Sequence, residues 1–183
     1  MITTIISLAL LTAYILAVCI SNKQIPNSLS ETVFFLPPGG SWLWTITICA
    51  VAFLAVPTFI EKTAESVQFL AFLSCASLAF VAVCPLLGTY GAINKEDQTY
   101  KIHMGAAYAC GSLSQIAVIV TCPWMALWWV PWMAAFIWIT KDRKWNTATF
   151  FAEMTCFAST FNICLASYFR IEVLDFRKGW ETP

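Results

Sequence analysis

Charge is scarce in this sequence. Charged residues make up 11% of its 183 positions, against about 25% in a typical soluble domain. There is one histidine, too few for a zinc site built on imidazoles. None of the eight cysteines falls in a C-x-x-C pair, and no Walker loop, dinucleotide fingerprint or nucleophile elbow occurs. These gaps exclude a nucleic-acid binder, a disulfide-stapled secreted domain and the common nucleotide-dependent enzymes. No metal and no cofactor are implied. Ten basic residues balance ten acidic ones, so no global electrostatic steering is expected.

What remains is apolar. The AVILMFWYC class supplies 60% of the chain, where soluble domains reach about 45–50% even with glycine counted. A water-soluble sphere of this size has no room to hide that surface. The sequence therefore reads as an integral membrane protein.

A helix needs about 20 mostly apolar residues to cross roughly 30 Å of hydrocarbon. Six stretches qualify, at about 1–20, 42–60, 67–87, 104–120, 124–140 and 147–169. Of all the charged residues, only Glu153 falls inside one of them. The expected fold is all-α, a single domain over 1–183 built as a bundle of six transmembrane helices. The first stretch has no basic leader and no small-residue cleavage site, so it reads as a first helix rather than a signal peptide.

Six spans place the loops on alternate sides. Lys23, Lys95, Lys101, Lys141, Arg143 and Lys144 share one face; Lys62, Arg170, Arg177 and Lys178 share the other. Loop charge alone leans towards cytoplasmic loops and external termini.

Cys19, Cys49, Cys75, Cys84, Cys110, Cys122, Cys156 and Cys164 all lie in or at the ends of spans. In lipid a thiol packs as a small apolar group, and that reading is preferred to a thiolate metal site. Trp124, Trp128 and Trp132 recur at i, i+4 and i+8, which on an α-helix aligns them on one face. That face is either packing bulk, the preferred reading, or an aromatic wall for a ligand. In the fourth span, Gly105-x-x-x-Ala109 and Ala107-x-x-x-Gly111 are small-residue pairs that permit close helix approach, predicting a central position for this helix.

Glu153 carries the most information. A carboxylate in hydrocarbon costs at least ~2–3 kcal/mol, so it must face the bundle interior and find a partner. It is either a working group, proton-linked or ligand-binding, or a structural bond to Gln115, Ser112 or Asn162. His103 opens the fourth span on the face from which the Glu153 helix descends, and Asp97, Ser28, Ser30 and Glu31 lie in loops on that face. A histidine near a carboxylate suits proton exchange or polar headgroup binding; the plainer reading is an imidazole at a helix end. The candidate ligand-binding set is His103, Glu153, Gln115, Ser112, Asp97, Ser30 and Glu31, with no residue assigned to catalysis. The fourth and sixth spans are expected to pack directly, with Glu153 aimed at the His103–Gln115 segment.

These residues resemble a known group. His103-Met104-Gly105-Ala106, leading to Gly111-Ser112-Leu113-Ser114-Gln115, is similar to the His…Gly-Ala…Gly…Gln pattern of the DRAM/Frag/Sfk-type superfamily of six-span membrane proteins. Glu153 matches that group's acid in the last span, although Met154 stands where tryptophan is common. Ile25-Pro26-Asn27-Ser28-Leu29-Ser30-Glu31 resembles the Pro-x-Ser-Ile-Ser stretch after the first span in some relatives. The resemblance implies cytoplasmic termini, a first loop outside the cytoplasm, no established enzymatic reaction, and a loose link to membrane-lipid organisation. Its orientation opposes the loop charge and is preferred, because six basic residues against four discriminate poorly.

The leading functional expectation is a non-enzymatic protein that binds or organises membrane lipid, or another amphiphile, through a polar pocket near one membrane face. Two alternatives stand: a small proton-linked transporter using Glu153, and an intramembrane lipid-modifying enzyme using His103 as acid or base. A homo-oligomer or a membrane-protein partner is compatible with either.

Overall fold

The computed structural model describes residues 2–87, 98–131, 134 and 148–166. Among them the fold is helical throughout, with no strand. Five long helices run as α1 (Ile2–Asn22), α2 (Ser41–Lys62), α3 (Gln68–Leu87), α4 (Gln98–Thr121) and α5 (Ala148–Ala166). All five are long and apolar enough to cross a membrane. They match the first, second, third, fourth and sixth expected spans. Of the expected fifth span, 124–140, residues 132, 133 and 135–140 lie outside the described residues.

The helices form because apolar runs of this length offer no competing turn chemistry. Their ends are set by polar signals. α1 stops where the Asn22 side chain donates to the Val18 carbonyl and Lys23 turns into the left-handed region at φ 52°. α4 starts six residues before the apolar run does, because Gln98, Thr99, Tyr100 and Lys101 tolerate helix.

The closest packing joins α3 to α4, α2 to α3 and α1 to α2, while α5 lies against α4, α2 and α1 and closes the bundle. Short polar side chains tie neighbouring helices to each other's backbones. Ser7 donates to the Val51 carbonyl, Thr45 to that of Ala82, and Ser74 to that of Cys110. Such bonds and close packing are what hold helices together where lipid supplies no hydrophobic drive between them. Phe53 and Phe69 are each 68% exposed, an arrangement that costs heavily in water and nothing against acyl chains. All eight cysteines are free thiols.

The small-residue expectation for α4 holds on one side only. Gly111 approaches α5, with Cys156 Sγ 3.9 Å from where a Cβ would sit. Gly105 faces away, and a Cβ there would meet no described atom within 4 Å. The tryptophan stripe is also corrected. Pro123–Trp128 winds as a 3-10 helix, whose three residues per turn put Trp124 and Trp128 about 120° apart rather than on one face. Trp132 lies outside the described residues.

The first loop is not loose. Pro26 is fully buried, Leu29 is 4% exposed, and Thr32 and Val33 are buried within a 3-10 helix at Ser30–Phe35. Leu29 and Val33 join Tyr14, Trp44, Val81 and Phe150 in the larger of two apolar clusters. Thr32 donates to the Leu29 carbonyl, which leaves its oxygen to accept from the Tyr14 phenol at 2.9 Å. The loop thus packs as a plug across one end of the bundle.

Candidate functional site

Helical spacing assembles one wall of the site. His103, Ala107, Gly111 and Gln115 recur every four residues and share a face of α4. Thr149, Ala152, Glu153 and Cys156 present the facing stripe of α5, and Asn27, Ser28 and Ser30 of the folded loop cover the end. Between them lies a cavity of about 830 Å³, within the range of small-molecule pockets.

At the loop end, the Glu153 carboxylate accepts the backbone N–H of Leu29 through Oε2. A backbone amide so placed satisfies a buried acid without a second charge. No described residue donates to Oε1. The loop holds its shape because Glu31 takes the Asn27 backbone N–H on one oxygen and the Asn27 side-chain amide, at 2.7 Å, on the other. A further bond from the Phe150 N–H to the Asn27 carbonyl, 2.9 Å, fastens the loop to the start of α5.

Deeper in the bundle, Gln115 joins three elements. Its Oε1 accepts from Trp129 Nε1 at 3.1 Å and from Ser159 Oγ at 2.9 Å, and its Nε2 donates to the Cys156 carbonyl at 3.3 Å. The amide's bonding capacity is largely spent on the protein itself.

His103 is 2% exposed and lines the cavity, yet its imidazole hydrogen-bonds the backbone of Val81 on α3. It pins α4 to α3 while Glu153 pins α5 to the first loop. Beyond Glu153 lies a second, smaller chamber of about 70 Å³, walled by Leu29, Trp44, Val81 and Phe157. Trp44 is 1% exposed there, and its indole N–H has no partner among the described residues.

Of the residues singled out in the sequence, His103, Glu153, Gln115, Ser112 and Ser30 line the cavity together. Glu31 is placed elsewhere, its carboxylate taken up by Asn27. Asp97 lies outside the described residues. α4 and α5 do pack directly, but the group that meets Glu153 is the Leu29 amide rather than a side chain of α4. Trp129 and Asn27 went unread. Trp129 is reached only because the 3-10 turn rotates it inward, and a loop asparagine carries no signal until the loop folds. Apolar Leu29 and Val33 inside a polar loop were the available sign that it does.

Neither a family model, nor a curated protein, nor a solved structure matches this chain.

Proposed function

We propose that this chain is a six-span membrane protein, of the DRAM/Frag/Sfk type of architecture, that binds a lipid or other single amphiphile in the cavity between α4, α5 and the first loop. The fifth span, at about 124–140, completes the bundle, and both termini are cytoplasmic. The observation that carries the reading is the cavity's division of labour. About 830 Å³ of space is lined by polar Asn27, Ser28, Ser30 and Glu153 beside the apolar Met104, Ala107 and Ala152. An amphiphile matches that mixed lining, its tail against the apolar side chains and its headgroup under the loop.

The test is photolabelling in nanodiscs with an alkyl diazirine amphiphile, followed by peptide mapping. Adducts are expected on the Met104–Ser112 and Ala152–Cys156 stretches, and Ser112→Trp, which fills the cavity, should suppress them. Ser112 is exposed towards the space, so the larger side chain need not disturb the helix contacts. Labelling confined to outward residues such as Phe53 and Phe69 would refute the reading.

A further inference from the structure

The donor and acceptor inventory of the cavity is unbalanced. The fixed donors in its lining are turned onto the protein: the Asn27 amide onto Glu31, the Gln115 amide onto the Cys156 carbonyl and Ser114 Oγ, and the Trp129 indole onto Gln115. The Ser28 and Ser30 hydroxyls pair with each other at 3.1 Å, and the Tyr108, Ser112 and Thr149 hydroxyls of the lining accept as readily as they donate. Against these stands Glu153, with Oε2 held by the Leu29 amide and Oε1 bonded to no described residue. No lysine or arginine lines the cavity among the described residues. A ligand that brings donors and positive charge fits this inventory; one that brings an anion meets the Glu153 acid, and the base in the described lining, His103, is already bonded to the Val81 backbone. Tyr108 and Trp129 also line the space, and aromatic rings favour a cation over an anion.

We propose that the headgroup bound here is a protonated primary amine on an apolar tail, donating to Glu153 Oε1. The inference rests on the amphiphile reading above and names its ligand class. Such an ammonium comes either from a free single-chain amine or from an aminophospholipid of the bilayer.

The experiment competes dodecylamine, dodecanol and dodecanoate against the alkyl diazirine label in nanodiscs of phosphatidylcholine, each scored by its mole fraction in the bilayer. Dodecylamine should halve labelling of the Ala152–Cys156 stretch at a mole fraction about tenfold below that of dodecanol, the worth of one charge-assisted hydrogen bond. Dodecanoate should be weakest. Glu153→Gln should erase the amine's advantage over dodecanol. Should that variant not purify as a monodisperse species, the order of the three probes on the unaltered protein decides alone. Equal competition by amine and alcohol, a preference for dodecanoate, or an amine advantage that survives Glu153→Gln overturns this proposal while the cavity reading stands. If none of the three displaces the label, the cavity reading falls, and this proposal with it. Replacing phosphatidylcholine with phosphatidylethanolamine separates the sources: masking of the dodecylamine advantage assigns the ammonium to bilayer lipid, and its persistence assigns it to a free amine.

Discussion

Glu153 and Leu29 lie 124 positions apart in the chain, yet the carboxylate of one accepts the backbone N–H of the other. That bond fixes the last described helix to the loop that follows the first, and it sets the polar end of the cavity. A buried acid thereby gains a partner, and a loop amide in an apolar setting escapes being orphaned.

Glu153→Ala and Glu153→Gln should separate on this ground. The alanine variant leaves the Leu29 N–H unsatisfied, at a cost of about 1–3 kcal/mol, partly offset by removing a buried acid. The glutamine variant keeps an acceptor oxygen. Limited trypsinolysis at exposed Lys23 reads the difference, because a loosened loop frees that bond for cleavage. Faster cutting is expected in Glu153→Ala alone; equal rates in all three proteins would remove the bond from its structural role.

Gln115→Leu should destabilise the bundle more than its size suggests. The substitution removes the acceptor of the Trp129 indole N–H and leaves the fully buried Ser159 hydroxyl only the Cys156 carbonyl of its own helix. A loss of about 1–3 kcal/mol is expected, read as a lower unfolding midpoint in detergent. Tryptophan emission should shift as Trp129 loses its fixed partner. An unchanged midpoint together with unchanged emission contradicts the assignment.

Backbone geometry gives a pair of opposite signs. Lys23 sits at φ 52°, where a side chain costs about 1 kcal/mol that glycine does not incur. Lys23→Gly should therefore raise the unfolding midpoint. Gly40 caps α2, and a Cβ there would lie 2.9 Å from the Pro37 carbonyl oxygen. Gly40→Ala should lower the midpoint, since backbone rather than a movable side chain must give way. Thermal unfolding of both variants checks the two signs together.

The helices were legible because hydrocarbon imposes a length that no loop imitates, and Glu153 was legible because an acid in such a run demands a reason. The approach of the fourth helix to the sixth span was legible in its small residues and in the polar His103–Gln115 segment. The turn at Pro123–Trp128 was not legible, since Trp124, Met125, Ala126, Leu127 and Trp128 are apolar whatever the period, and no face distinguishes 3-10 from α. The partner of Glu153 was hidden for a different reason. It is a backbone amide, which every residue but proline carries, so residue type could not announce it. Glu31 organises its own loop through Asn27, a role that residue type alone does not distinguish from that of a carboxylate awaiting a ligand.

Cryo-electron microscopy of the protein in lipid nanodiscs tests the central claim most directly. The account predicts elongated density between α4 and α5, its polar end beside Glu153 and the Asn27–Ser30 stretch, its tail running past Ala107 and Ala152. A cavity that is collapsed, or that holds only isolated water-sized peaks while lipid density is confined to the outer surface around Phe53 and Phe69, would contradict it.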